Sequence, residues 1–179
     1  NIAATNNYAN SLKAVGKFEA SKELFEKILK INPGYINAYN NYANLKTLYN
    51  DYDGAIKLYK KALELLKKNE NIAKSNSLGF LFSLAAAYQS NNQVEESKKI
   101  LDEIFSIDQS HAGAHKLLSS IFKYSSEDKR SIDHLNQMEK IYNTDNLINE
   151  KKIDISFSLG KAFEDLKNFD KAYNYLKKA

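Results

Sequence analysis

The stretch Asn6–Asn10, read as NNYAN, returns unchanged as Asn40–Asn44, 34 residues further along the chain. A fixed period of this length indicates that one structural unit is repeated along the sequence. Between the two copies, apolar residues such as Phe18, Phe25 and Ile28 recur at the spacing of one helix face. The pattern therefore predicts a repeat made of two antiparallel helices.

The composition supports a helical chain and excludes several kinds of site. The 179 residues include only one Pro and six Gly, the two residue types that interrupt helices. The absence of Cys excludes disulfides, thiolate metal sites and a cysteine nucleophile. No apolar run is long enough to cross a membrane, and no signal peptide is visible. We therefore expect a cytoplasmic protein without a membrane partner.

The net charge of +4 could suggest a nucleic-acid partner, but the cations are spread evenly along the chain. There are 25 Lys and a single Arg, Arg130. Proteins that read nucleic acids favour Arg and cluster it, whereas here Lys alternates with Glu, as in Glu19–Lys27. We therefore predict no nucleic-acid partner.

The repeats resemble the tetratricopeptide repeat (TPR) family over nearly the whole chain. In the second repeat, the residues that match the family pattern are Tyr39, Tyr42, Ala43, Ala55, Tyr59 and Ala62. The resemblance implies an all-α fold, a right-handed α-solenoid of helix-turn-helix repeats that forms a single domain over residues 1–179. The expected repeats span approximately residues 2–35, 36–69, 78–111, 112–145 and 153–179, of which the fourth is degenerate and the fifth truncated.

Two features depart from a regular array. The extra residues between repeats, 70–77 and 146–152, are expected to form loops or extended helix ends. In the fourth repeat, Ser119 and Phe122 are expected in the first helix, while the second helix fits the pattern loosely. Within a regular repeat, small residues such as Ala43 should lie where the two helices cross, because larger side chains would push the axes apart.

In a TPR stack the first helix of each repeat lines the concave surface, so the resemblance implies a peptide-binding groove. The helical step places one set of side chains on that surface, away from the core. Asparagine amides both donate and accept hydrogen bonds, so they can pair with an extended peptide backbone. The expected groove residues are Asn6, Asn7, Asn10, Asn40, Asn41, Asn44, Phe82, Lys116, Lys123, Phe157 and Lys161.

The asparagines allow two interpretations. Asn7 and Asn41 match the position that forms an asparagine ladder in some TPR proteins, which would have two rungs here. Alternatively, the 21 Asn of the chain reflect a biased composition on a solvent-exposed helix face. The carboxylate clamp of other family members is not expected, because Asn6, Gly79 and Ser83 stand where that clamp has cations.

No catalytic site, metal site or cofactor is expected. His111 and His115 are one helical turn apart, but no Glu of a metal-binding motif lies between them. They are therefore interpreted as incidental histidines on a helix surface, and His134 lies in the loosely fitting helix. The glycines form no phosphate-binding loop. We predict a chain that is not an enzyme and that binds a protein or peptide as a scaffold.

A narrower resemblance offers a second functional hypothesis. The segments His115–Tyr124, His134–Glu139 and Phe157–Asp165 are similar to the region that joins TPRs to the sulfotransferase domain in bacterial two-part proteins. This resemblance implies a non-catalytic accessory region of an enzyme that uses the sulfate donor PAPS. The catalytic domain would then lie beyond Ala179.

The last helix suggests a third hypothesis. It presents Phe169, Tyr173 and Leu176 on one face, and no polar capping helix follows. Apolar faces of this kind stack on a neighbouring repeat in solenoid proteins. We therefore expect either a fragment of a longer protein or self-association through exposed terminal helices.

Overall fold

The computed structural model describes residues 1–68, 74–144, 148–177 and 179, and within this part the chain is all-α, as predicted. One short 3-10 helix, Lys74–Ser77, precedes α5. The expected inter-repeat segments lie partly outside the described residues, at 70–73 and 146–147. The helices are α1 (Ile2–Ala14), α2 (Phe18–Ile31), α3 (Ile36–Leu48), α4 (Tyr52–Lys67), α5 (Leu78–Ser90), α6 (Val94–Ile107), α7 (Ala112–Ile121), α8 (Lys129–Tyr142), α9 (Asn149–Asp165) and α10 (Phe169–Leu176).

Local sequence explains where several helices begin. Asp51 accepts a hydrogen bond from the main-chain N–H of Gly54 at the start of α4, and Asp128 accepts one from Ser131 at the start of α8. Such caps satisfy N–H groups that have no partner within the first helical turn. α9 begins at Asn149, before Ile153, where the fifth repeat was expected to start, so part of the expected inter-repeat segment is an extended helix end.

A residue with left-handed backbone angles separates the two helices of most pairs. These residues are Gly16 (φ 78°), Asn50 (φ 59°), Asn92 (φ 58°) and Lys167 (φ 58°). Gly and Asn adopt this conformation more readily than other residues, so the local sequence favours the turns at Gly16, Asn50 and Asn92, but it does not favour the turn at Lys167. The connection from α7 to α8, residues 122–128, contains no such residue. α7 ends at Ile121 and Phe122 is extended, so the expectation that Phe122 lies within the helix is wrong.

The chain divides into two compact units, the N-terminal unit Asn1–Glu103 and the C-terminal unit Ile104–Ala179. In the N-terminal unit, α1 packs on α2, α2 on α3, α3 on α4 and α4 on α5. Phe25, Ile28 and Tyr42 belong to its apolar core. Because each helix contacts its neighbours along the chain, the unit has the nearest-neighbour packing of a repeat array.

In the C-terminal unit, α9 is the central helix and packs against α7, α8 and α10. Ile155 and Leu159 of α9 are buried together with Met138 of α8 and Ala172 of α10. The short helix α10 therefore packs against α9, and α9 is the helix that α7, α8 and α10 all contact.

Candidate binding surfaces

Asn6 does not face outward as expected. Its side chain is only 4% exposed, and its Oδ1 accepts a hydrogen bond of 3.1 Å from Nδ2 of Asn41. The physical reason is that α1 and α3 contact each other, and at this contact the amide of Asn41 lies within hydrogen-bond distance of the amide of Asn6. The two asparagines therefore join two helices of the N-terminal unit, and this bond occupies an amide expected to serve as a ladder rung.

The remaining asparagines of α1 and α3 differ from one another. Asn7 is exposed. The side-chain oxygens of Asn10 and Asn40 are buried and have no hydrogen-bond partner among the described residues. Asn44 is bonded within the unit, because its Oδ1 accepts a hydrogen bond of 2.6 Å from the hydroxyl of Tyr59. A regular row of outward amides is therefore not present on these two helices.

A cleft between α3, α4 and α5 brings Asn44 and Phe82 together. Its volume is about 340 Å³. No charged side chain lines this cleft among the described residues. The rest of its lining consists of hydroxyl-bearing and small residues, namely Thr47, Tyr52, Tyr59, Ser83, Ala86, Ala87 and Ser90.

The hydrogen bond between Tyr59 and Asn44 determines which polar groups of Asn44 can bind a ligand in this cleft. Burial raises the pKa of Tyr59 to about 12, so the phenol stays protonated and donates at neutral pH. Since Tyr59 engages the amide oxygen, Asn44 presents its N–H groups as donors to a ligand. Donors beside the half-buried ring of Phe82 suit a carbonyl group next to an apolar side chain.

Sequence reasoning did not include Tyr52 and Ser90 in the groove. Tyr52 begins α4, the second helix of its repeat, and lines the cleft. Ser90 is the last residue of α5. Both residues line the cleft because the start of α4 and the end of α5 lie close together in the fold. The helical periodicity of one segment does not predict which helix ends lie close together.

Two other clefts have charged linings. One, of about 220 Å³, includes Lys46 and Asp51, whose side chains form an ion pair of 2.6 Å. The other, of about 470 Å³, includes Glu139 and Lys171, which lie 3.9 Å apart. Their charged groups are already engaged by one another, so these clefts fit a charged ligand less well than their composition suggests.

The lysines of the C-terminal unit are also engaged. Lys116 forms an ion pair of 2.7 Å with Asp154 and lies above the ring of Phe157, which is 46% exposed. Lys123 forms one of 2.7 Å with Asp165. The positive charges of Lys116 and Lys123, two of the expected groove residues, are therefore largely neutralised by neighbouring carboxylates.

Asp165 collects several of these contacts. It accepts hydrogen bonds from Lys123, from Lys161 and from the main-chain N–H of Tyr124. Burial alone would raise the pKa of this carboxyl, but these donors hold the pKa of Asp165 below its ordinary value. Lys161 also donates to the main-chain oxygen of Phe122 at 2.7 Å. Lys123 and Lys161 thus tie the α7–α8 connection to α9.

The histidines are not incidental surface residues, and that interpretation is wrong. His115 is 0% exposed, and its Nδ1 lies 2.8 Å from Nε2 of the buried His134. His111 is half-buried and caps α7, accepting a hydrogen bond of 3.0 Å from the main-chain N–H of Ala114. No group of three or more acidic, His or Cys side chains that could hold a metal ion is present within the described residues.

Models of the tetratricopeptide repeat family match residues 1–68, 47–121 and 153–179. No curated protein matches the chain. Across residues 1–68, 74–144 and 148–177, no helix is both long and apolar enough to cross a membrane.

Solved structures show the same fold. The chain is similar to YrrB, a TPR protein with an unusual peptide-binding site, at 17% identity and a TM-score of 0.68, over 99% of this chain and 84% of that one. It is similar to a putative kinesin light chain of Podosopora anserina at 16% identity and a TM-score of 0.77, over 99% and 92%. MamA is similar at 18% identity and a TM-score of 0.70, over 99% and 88%. These likenesses show the fold, and with the matches to the family models they lead to one conclusion: the chain belongs to the tetratricopeptide repeat family.

Proposed function

We propose that this chain is a protein-binding scaffold whose N-terminal unit holds an uncharged peptide segment in the cleft between α3, α4 and α5. The observation that supports the proposal most directly is the meeting of Asn44 and Phe82 in that cleft of about 340 Å³. A volume of this size accommodates one side chain and its flanking peptide groups. The peptide-binding site of YrrB, a structural neighbour, is consistent with this use of the fold.

The chemistry of the cleft specifies the kind of segment. The N–H groups of Asn44 favour a peptide carbonyl, while Phe82 and Ala86 favour an apolar side chain beside it. A charged side chain would lose its hydration without gaining an ion pair, which costs free energy. We therefore expect binding that changes little with salt concentration.

The proposal is tested with peptides selected from a displayed random library against the full chain. For the selected peptide, Phe82→Ala should weaken binding by about ten- to hundredfold, because an apolar anchor contact is removed. Ala86→Glu, which introduces a charge into the neutral cleft, should weaken binding at least as much. Fluorescence anisotropy with labelled peptide gives the affinities.

The matched control is Phe157→Ala, the same substitution at an exposed Phe of the C-terminal unit. It should leave the affinity unchanged. Weakening by Phe157→Ala together with full binding by Phe82→Ala would move the site to the C-terminal unit and contradict the proposal. The triple change of Asn10, Asn41 and Asn44 to Ala is a poorer test, because it also removes the partners of Asn6 and Tyr59.

Self-association is a second candidate, favoured by one observation. Phe169 and Tyr173 of α10 are 65% and 63% exposed, so this helix keeps an apolar face. Sedimentation at two concentrations tests it, and a monomer at both would contradict it.

The accessory-region hypothesis rests on the sequence resemblance at Phe157–Asp165 and neighbouring segments. Its test is the coding sequence after Ala179. A strand followed by a Ser- and Thr-rich phosphate-binding loop would support a sulfotransferase domain that uses PAPS, and further repeats or a stop codon would contradict it.

A further inference from the structure

A chain of hydrogen bonds runs through the interior of the C-terminal unit. Nε2 of His115 lies 2.9 Å from the main-chain oxygen of Gln109, and its Nδ1 lies 2.8 Å from Nε2 of His134. Nδ1 of His134 lies 2.7 Å from the hydroxyl of Tyr124, which lies 2.9 Å from Oγ of Ser119. All four side chains are buried. The network connects α7 to α8 through their side chains.

The main-chain carbonyl at one end sets the direction of every bond. A carbonyl oxygen only accepts, so Nε2 of His115 carries the hydrogen and its Nδ1 is an acceptor. His134 must then donate from Nε2, which leaves its Nδ1 to accept from Tyr124. Ser119 completes the series by donating to the Tyr124 oxygen. Both imidazoles are therefore neutral when the network is complete.

If one imidazole of the network is protonated, the hydrogen bonds can still form, but the protein then holds a buried cation. Protonation of both imidazoles is not compatible with the network. A proton on Nδ1 of His115 reverses every later bond, so that His134 donates to Tyr124 and Tyr124 donates to Ser119. If both imidazoles were charged, two N–H groups would face each other across 2.8 Å. No carboxylate hydrogen-bonds either ring among the described residues, so the charge would be poorly compensated.

The surrounding charged groups are unevenly placed. Asp108, in the loop before α7, favours a charged His115, whereas His111 opposes it. Arg130 of α8 opposes a charge on His134. Burial lowers the pKa of His115, and burial together with His115 and Arg130 lowers the pKa of His134 to about 3. Desolvation therefore outweighs the attraction of Asp108.

From α9, two charged groups face the tyrosine end of the network. Asp165 accepts a hydrogen bond of 3.2 Å from the main-chain N–H of Tyr124, and Lys161 lies 5.5 Å above the tyrosine ring. These groups are bonded to each other, so they add little net charge at that end. Phe105, at 4.6 Å between ring centres, covers His115 from α6.

We propose that the His115–His134–Tyr124 network is an acid-sensitive connection, which holds α8 to α7 while both imidazoles are neutral and loosens α8 when either one is protonated. In the opened state, in which α8 has loosened from α7 and the network is broken, an imidazole has a pKa of about 6.5. In the closed state, in which the network is intact, both imidazoles stay neutral at pH values well below 6.5. The stability of the closed state relative to the opened state is therefore greatest above about pH 6.5 and falls as the pH is lowered. For each imidazole, the opening constant rises about tenfold per pH unit below 6.5.

Amide hydrogen exchange of the full chain tests the proposal, after correction for the intrinsic pH dependence of exchange. Between about pH 6 and pH 4.5, protection of α8 should fall by about ten- to hundredfold per pH unit. The helices of the N-terminal unit serve as an internal reference, because all three histidines lie in the C-terminal unit. Their protection should change less than that of α8.

Variants identify the groups responsible. His134→Gln keeps a neutral hydrogen-bonding side chain but removes one imidazole that can be protonated. For each pH unit, the loss of amide protection in α8 should therefore be about tenfold smaller than in the wild type. His111→Asn is the matched control: it removes a histidine that is not one of the network's side chains, retains a capping side chain and should change the pH dependence far less than His134→Gln does. Equal pH dependence in wild type and His134→Gln would overturn the proposal.

A measurement on the unaltered protein guards against a variant that does not fold. The ring C–H signals of the histidines are followed by NMR while the pH is lowered. In the folded state, His115 and His134 should not titrate near pH 6.5, which is the ordinary value. Titration of both rings at about pH 6.5 in the folded state, with α8 still protected, would also overturn the proposal.

Discussion

The two units of the molecule join their helix pairs in different ways. In the N-terminal unit α3 packs on α4, and small residues of the two helices, Ala43 and Ala55, are fully buried. In the C-terminal unit, the space between α7 and α8 is occupied by rings, with the ring centres of His115 and His134 5.0 Å apart and those of Tyr124 and His134 5.8 Å apart. The same repeat pattern thus supports both close packing of small residues and a polar aromatic layer.

Serine residues show the difference at the level of single bonds. Ser21 and Ser97 each donate a hydrogen bond across their helix pair, to the main-chain oxygens of Ala9 and Ala85, at 2.7 and 2.8 Å. In the fourth repeat, the matching Ser131 instead donates to the carboxylate of Asp128 and accepts a hydrogen bond from the main-chain N–H of Ser125. The groups that face a buried serine therefore determine whether it joins two helices or fixes the start of its own helix.

The largest effect is expected from removing the central ring of the network. His134→Ala should lower the free energy of unfolding of the C-terminal unit by about 3–5 kcal/mol, because it leaves a cavity and removes the partner of His115 and Tyr124. This loss of stability is measured by urea unfolding, with hydrogen exchange in α8 and α9 as the probe of the C-terminal unit. Asn136→Ala, at an exposed residue of the same helix, should change stability by less than about 0.5 kcal/mol. A comparably small loss for His134→Ala would mean that the rings do not hold this unit together.

A smaller effect is expected from enlarging a crossing residue of the N-terminal unit. Ala43→Leu should destabilise that unit by about 1–3 kcal/mol, because Ala43 is fully buried and the added atoms must displace its neighbours. The control, Asn37→Leu, adds apolar atoms at an exposed residue of α3 and should have an effect within about 0.5 kcal/mol. If the two leucines were equally tolerated, close packing of small residues would not be what joins α3 to α4.

The smallest effect is expected where α9 meets α10. Gly160 is buried, and an added Cβ would lie 2.6 Å from Cγ of Leu176. Leu176 is 43% exposed and can shift, while replacing a helical glycine with alanine is favourable by up to about 1 kcal/mol. Gly160→Ala should therefore change stability by less than about 1 kcal/mol in thermal unfolding. A loss above about 2 kcal/mol would show that this crossing is as tightly packed as that of α3 and α4.

Much of the fold could be predicted from the sequence because its signals are local. Helices begin at Ile2, Ile36, Leu78 and Ala112, where the repeat pattern placed them. The candidate site was predictable only in part. Asn44 and Phe82 meet in one cleft, but the expected row of outward asparagines fails at Asn6, whose partner lies 35 residues away.

The sequence by itself determined the all-α repeat architecture and the starts of several helices. Each of these follows from the order of residues within about one repeat length. Only the tertiary structure decided that Asn41 bonds to Asn6, that Tyr59 orients Asn44, and that two histidines of different helices form a buried network. The physical reason is that a hydrogen-bond partner depends on which side chains face each other after the helices pack, and helical periodicity specifies a face but not its partner.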